Sequence, residues 1–230
     1  MEKTVKVLCM MALALMVYGN AIGQENELSP VSKYGYEDES GKIVIPVQFD
    51  LARPFSEGLA AVQKDNKWGF INTKGAVVIA YKYVDAGPFS EGLASIGVEG
   101  EEWFSYKYGF IDKTGKMVID TKYDDSHLFS DGMAAVKLDN KWGYIDKTGK
   151  MIIKPQYDDV QEFSCGLAPV QVGEKWGFID KTGKMVIKAQ YDGTNPFDPE
   201  TRKAWVRIGD WDSGKSGYVD TTGKFIKEEY

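Results

Sequence analysis

Few residues in this 230-residue chain can do covalent chemistry. There is one histidine, His127, and there are two cysteines, Cys9 and Cys165. Cys9 lies in a segment read below as a leader. The remaining imidazole and thiol cannot supply the ligand set of an ordinary zinc site. A Ser-His-Asp triad has to run through His127, and no nucleophile elbow appears in the sequence. His127 reads instead as a solvated loop residue between Tyr123 and Phe129, with Gln161 at the matching place one repeat later. Carboxylates are plentiful, and two that flank a glycosidic bond can cleave it. Asp-Asp pairs at 124–125 and 158–159 also offer oxygens to calcium, although no calcium-loop motif accompanies them. Most of the acids recur at fixed places: Asp112, Asp146, Asp180 and Asp220 in one, Asp124 and Asp158 in another. A residue required in every copy reads as structural. The hydrolase candidates are therefore the irregular loop acids Glu101, Glu102, Asp210 and Asp212. The reading is of no catalytic residue, no metal site and no cofactor.

Binding chemistry is concentrated where the regularity breaks. The segment GVEGEEWFSYKY, between Ile96 and Gly109, carries Trp103 and Phe104; RIGDWDSGKS, between Val206 and Gly217, carries Trp211. Trp205 occupies a position that elsewhere holds Ala61, Ser95, Ala135 and Pro169, all small. Exposed tryptophan suits sugar rings or a protein hot spot. Trp103, Phe104, Trp205 and Trp211 are the expected binding surface, against the alternative that these rings cover the array's own core.

The elements that must position these loops follow from a repeated phrase. KWGFIDKTGKMVI at 175–187 recurs as KYGFIDKTGKMVI at 107–119, KWGYIDKTGKMII at 141–153 and KWGFINTKGAVVI at 67–79. Its glycine falls at Gly35, Gly69, Gly109, Gly143, Gly177 and Gly217, a 34-residue period with two six-residue insertions. Each unit reads as three strands: Trp-Gly-Phe-Ile-Asp, Met-Val-Ile and Gly-Leu-Ala-x-Val. Asp-Lys-Thr-Gly-Lys joins the first two, Asp bonding the turn backbone and Gly supplying positive φ. A second punctuation, Phe-Ser-Glu-Gly at 55–58 and 89–92, reads as a turn into the third strand. Alternation along the first strand puts Trp176 and Phe178 on one face and Gly177 and Ile179 on the other. The bare glycine leaves a notch for a close neighbour. Three short strands cannot bury such rings alone, but stacked units can.

KWGFIDKTGK, followed by Tyr-Asp and Phe-Ser-Glu-Gly-Leu-Ala, resembles the WG-repeat (KWG-repeat) family of bacterial proteins over nearly all of 34–230. The resemblance implies a β-rich repeat protein that binds other molecules, and it supplies no catalytic residues. Departures from the pattern are Tyr34 and Tyr108 at the first position of the phrase, Ser216 in the last copy, and Phe197-Asp-Pro-Glu-Thr-Arg-Lys-Ala in place of the second punctuation. The expected fold is an all-β, open, twisted array of about five and a half three-stranded β-meanders. Its units start near 34, 67, 107, 141 and 175, with a half unit at 216. A closed propeller-like ring is the alternative; propeller blades are longer and four-stranded.

Ahead of the array, residues 1–23 read as a secretory signal: lysines, the apolar run VLCMMALALMVY, then Ala21-Ile22-Gly23 before cleavage. The run is too short to span a membrane as a helix. Leu8 stands before Cys9 where a lipid-anchor signal needs a small residue. Residues 24–33 form a linker. Loss of the leader leaves a net charge of −7 from 26 basic and 33 acidic residues, which disfavours nucleic acid as a partner. One thiol remains, so no intramolecular disulfide can form. The expected protein is exported (periplasmic, outer-surface or extracellular) and non-enzymatic, a binding scaffold for a protein or a cell-envelope glycan. The alternatives are a glycan-cleaving hydrolase using loop carboxylates, or a structural self-assembling element.

Overall fold

The computed structural model describes residues 5–11, 32–102, 105–210 and 212–226. Every regular element in them is a strand, and every pairing is antiparallel. Six sheets follow one another along the chain. The first is Val5–Met11, Ser32–Asp38 and Ile43–Phe49. The second is Leu51–Ala52, Leu59–Lys64, Lys67–Asn72 and Val77–Tyr83. The third is Asp85–Ser90, Leu93–Glu99, Tyr106–Asp112 and Met117–Tyr123. The fourth is Asp125–Ser126, Met133–Leu138, Lys141–Asp146 and Met151–Tyr157. The fifth is Asp159–Val160, Leu167–Val172, Lys175–Asp180 and Met185–Tyr191. The sixth is Gly193–Thr194, Lys203–Ile208, Lys215–Asp220 and Phe225–Ile226. Each sheet uses consecutive strands, and among the described residues no pairing joins one sheet to another. The three expected strands are present in each full unit. A short leading strand after Tyr-Asp, two residues long in most copies, makes them four. The chain divides into two compact units, Met1–Pro88 and Phe89–Tyr230.

The turns form as their residues dictate. In Asp-Lys-Thr-Gly-Lys, Asp146 Oδ1 accepts from Thr148 N (2.9 Å), Thr148 Oγ1 (2.6 Å) and Lys150 N (3.1 Å), and Gly149 sits at φ 82°. Asn72 makes the same backbone bonds in the second sheet. In Phe-Ser-Asp-Gly, Asp131 (φ 52°) and Gly132 (φ 79°) are both left-handed, while Ser130 and Met133 exchange backbone bonds. This is the geometry of a two-residue type I′ hairpin.

Alternation then distributes the strands between two cores. In the second unit of the chain, Phe178 joins Leu167, Ile187, Tyr191 and Phe197, whereas its neighbour Ile179 packs with Tyr144, Ile153, Phe163 and Val170. The fifth sheet is thus buried on both faces, which is why alternate positions of its phrase strand are apolar throughout. The two motifs meet across this packing. The ring of the WG phrase lies against the phenylalanine of the next turn motif, with centroids 4.9 Å apart for Phe110–Phe129, 4.8 Å for Tyr144–Phe163 and 5.0 Å for Phe178–Phe197. The serine after that phenylalanine ties successive units: Ser90, Ser130 and Ser164 donate to the carbonyls of Phe129, Phe163 and Phe197.

The notch expected at the phrase glycine is filled by backbone. A Cβ on Gly177 would lie 2.6 Å from Ile187 O and from Ala189 N, and one on Gly69 2.6 Å from Ile79 O. The register shifts at this point of each hairpin, so the two strands cross closely there. At Gly217 the close neighbour is instead the ring of Phe225.

Candidate functional site

The regular connection from the third strand to the next phrase is two residues long. Asp139 (φ 51°) and Asn140 (φ 62°) make it in the fourth sheet. The first insertion replaces that pair with Glu99–Tyr106. Glu99 pairs with Tyr106, extending the strands by one rung. Gly100 N donates to Ser105 O (2.8 Å), and Ser105 N and Oγ both donate to Glu102 O (3.1 and 2.8 Å). The loop overhangs the strand Met117–Tyr123, and an open cleft of about 810 Å³ lies between them. Glu99, Glu101, Glu102, Ser105, Tyr106 and Lys107 line one side; Thr121, Lys122 and Asp124 line the other.

The cleft carries more acid than base. Lys107 Nζ lies 2.6 Å from Asp124 Oδ1, and this carboxylate, aided by those of Glu102 and Asp139, holds the lysine pKa above its ordinary value. Lys122 Nζ stands 5.3 Å from the Tyr123 ring centroid. Glu101 and Glu102 are exposed, and so is the Tyr106 ring, at 46%. Clustered carboxylates accept hydrogen bonds from hydroxyl or ammonium donors, and an open phenol offers a face for stacking.

The second insertion builds something different. Only part of it lies between Ile208 and Lys215; the rest lengthens the turn after Phe197. There Asp198 Oδ1 accepts from Glu200 N, Thr201 N and Thr201 Oγ1. Gly209 N donates to Asp192 Oδ2 (2.7 Å), Gly214 N to Asp210 O (2.8 Å), and the Arg207 guanidinium reaches both Gly209 O and Asp192 O. Asp210 and Asp212 are exposed there and do not line the cleft of the first insertion.

Of the four aromatics expected to form a binding surface, Trp103, Phe104 and Trp211 lie outside the described residues. Trp205 is half-buried, opposite Tyr218 in the sheet. Its ring comes within 3.5 Å of the place a Cβ on Gly193 would take, and its carbonyl accepts from Thr194 Oγ1 (2.9 Å) and Asn195 N (3.1 Å). It is not among the residues lining the cleft. His127 differs from its reading as a solvated residue. Its half-buried ring lies tilted against Trp142 with ring centroids 4.7 Å apart, and its Nδ1 lies 3.6 Å from Glu162 Oε1.

The aspartate that follows the closing aromatic of the Met-Val-Ile strand (Asp50, Asp124, Asp158 and Asp192) has a job that turn chemistry alone does not reveal. Asp158 Oδ1 accepts from Lys141 Nζ (2.5 Å), and its Oδ2 from Gly173 N (2.8 Å); Asp124 does the same with Lys107 and Asp139 N. Lys33–Asp50 and Lys175–Asp192 repeat the pair. The signal was the constant 17-residue spacing between the phrase lysine and this aspartate. The partner lysine, then the backbone amide, holds the Asp158 carboxyl below the usual carboxylate range. Asp125 and Asp159 each accept from the next backbone amide. Among the described residues, no group of three or more His, Cys, Asp or Glu is placed to hold a metal ion.

The family described as WG containing repeat matches residues 34–68, 68–101, 108–142, 142–176 and 176–210. The chain belongs to the WG containing repeat family. The five matched segments tile the sheets, and the break between 101 and 108 coincides with the inserted loop. No curated protein matches the chain. Solved structures that it resembles include a eukaryotic initiation factor (TM-score 0.55, 14% identity, 85% of this chain and 60% of the other) and dipeptidyl peptidase 4 of Porphyromonas gingivalis (0.55, 12%, 90% and 43%). The tricorn protease is a third (0.50, 12%, 84% and 25%). The chain spans 60% or less of the length of each, and at such identities the likeness is one of fold alone.

Proposed function

We propose that this WG-repeat protein is exported and acts as a non-enzymatic binding scaffold for a protein or cell-envelope glycan. The contact surface is the first inserted loop, with Trp103 and Phe104 as its aromatic anchors, and Trp205 and Trp211 add to it. One observation carries the reading. The repeated polar side chains are committed to turns, strand clamps and ties between units, whereas the non-repeated loop 99–106 leaves an open cleft with exposed carboxylates and an exposed tyrosine. Insertions in repeat arrays map to loops on one face, often the one used for binding. The leader-like sequence of residues 1–23 supports export. No described helix is long and apolar enough to cross a membrane.

The test is co-sedimentation of residues 24–230 with purified sacculi and, separately, with outer-membrane fractions, beside a variant carrying Ala at Trp103, Phe104, Trp205 and Trp211. Pelleting that the variant loses supports the surface. Pelleting that the variant keeps moves the site elsewhere. Glu101 and Glu102 in one cleft also give the glycan-cleaving reading a place to act. Release of reducing sugar from envelope polysaccharides, abolished by Glu101→Gln with Glu102→Gln, would replace binding by hydrolysis as the function.

A further inference from the structure

The first sheet is incomplete in its own repeat. The array begins at the phrase strand Ser32–Asp38, so no Gly-Leu-Ala-x-Val strand precedes it. In the structure that place is taken by Val5–Met11, taken from the leader-like segment. It pairs antiparallel with Ser32–Asp38 over its whole length, from Val5↔Asp38 to Met11↔Ser32. The register is that of the repeat. Leu8 stands opposite Gly35 as Val62 stands opposite Gly69, and Val7 opposite Tyr36 as Ala61 stands opposite Phe70. Val7 packs on the core of the first unit, formed by Tyr36, Ile45, Phe49, Ala60, Val62 and Ile71.

We infer that removal of the leader turns the edge of Ser32–Asp38 into an acceptor for an extended strand donated by another polypeptide. This rests on the export reading above, because only cleavage vacates the edge. An uncovered edge presents a row of unpaired backbone groups and is a template for strand addition. Here it stands beside the apolar surface that Val7 covers. The donor must run antiparallel and carry a small or β-branched apolar residue where Val7 lies, since that residue faces the core. Hydrogen bonding to the backbone supplies affinity, and the inward position held by Val7 supplies selectivity. A second copy of the chain is a poor donor: its strands of this type, at 59–64, 93–99, 133–138, 167–172 and 203–208, are already paired within their own sheets. The donor is a different protein with an extended apolar segment.

The experiment uses the exported protein. Its intact mass first reports whether the leader is gone; a retained leader defeats the export reading and leaves the edge filled in the natural protein, whereas the exchange of chain 24–230 separately tests whether the bare edge accepts a strand. Amide exchange of residues 33–37 is then followed in chain 24–230, alone and with a peptide of residues 4–12 carrying Cys9→Ser. A second peptide also carries Val7→Asp. The acceptor account expects rapid exchange in the cleaved chain, slowed about tenfold or more by the first peptide and unaffected by the second. Slow exchange in the cleaved chain without peptide, at any protein concentration, would overturn it, because the edge would already be filled. Protection by neither peptide, or equally by both, would overturn it too.

Discussion

The two insertions lengthen the same kind of connection, and they end up in opposite states. The loop after Ile208 is drawn onto its own sheet: Asp192, the aspartate that follows the preceding tyrosine, accepts from Gly209 N, and Arg207 bridges to both. In the loop after Val98, Gly100 bonds to Ser105 and Ser105 to Glu102, and these residues line an open cleft. In the sequence, the residue corresponding to Asp192 ahead of that loop is Val84, which has no carboxylate. The loop whose clamp position keeps its aspartate is tied to that residue, and the loop whose clamp position holds valine has no carboxylate there to receive it. What recurs holds the array, and a deviation is engaged in the same way where a clamp carboxylate such as Asp192 is present to receive it.

Substitutions sharpen the contrast between scaffold and loop, beginning with the core. Phe163 is fully buried, packs on Tyr144 and lends its carbonyl to Ser130. Phe163→Ala should cost about 3–5 kcal/mol, whereas Tyr106→Ala in the cleft should stay within about 0.5 kcal/mol. Denaturant unfolding of the two variants measures this directly, and comparable losses would erase the distinction between scaffold and loop.

A smaller difference separates two glycines. A Cβ at Gly177 meets backbone atoms of Ile187 and Ala189 at 2.6 Å, and backbone cannot step aside. Gly177→Ala should therefore cost about 1–3 kcal/mol. At Gly100 the nearest atom is the hydroxyl of Ser105, which can rotate away, so Gly100→Ala should cost less. Thermal shifts in the reverse order would mean that the strand crossing yields more readily than the loop.

The smallest effect concerns acid. The hydroxyls of Thr114, Thr148 and Thr182, then nearby backbone amides, hold the carboxyls of Asp112, Asp146 and Asp180 below the usual range. A carboxyl with a depressed folded pKa stabilises the fold above its unfolded value, near about 4. That contribution fades as pH falls through the folded pKa. Asn72 shows that an amide oxygen makes the same turn. The triple variant Asp112→Asn, Asp146→Asn, Asp180→Asn should therefore keep its fold at neutral pH and lose less stability between pH 7 and pH 3 than the parent. An unchanged acid loss would place the acid sensitivity in the Lys–Asp clamps.

Much of this architecture was legible because local chemistry and spacing agree. The glycine of Asp-Lys-Thr-Gly-Lys announced its hairpin, and the alternation of Phe178 and Ile179 announced two buried faces. The short leading strands were not legible: Asp125–Ser126 and Asp159–Val160 are two residues long, too brief for a periodicity. Nor did the sequence show what Asp158 holds, since a 17-residue spacing names a partner only once the sheet brings Lys141 alongside. Of the expected site, the sequence located the inserted loop through its break in period. Trp205 was singled out by size, yet the structure seats its ring by Gly193, away from the cleft. The tie between Gly209 and Asp192 depends on how the loop folds back, which composition does not encode.

The most direct test of scaffold against site is to restore the regular connection. Replacing Glu99–Tyr106 by Asp-Asn returns that repeat to the two-residue turn of Asp139-Asn140 and removes the cleft with Trp103 and Phe104. Thermal unfolding and pelleting with envelope fractions would be measured on the same preparation of chain 24–230. The account predicts an unfolding temperature equal to or above the parent's and loss of pelleting. A restored turn that leaves pelleting intact, or that unfolds the array, would contradict it.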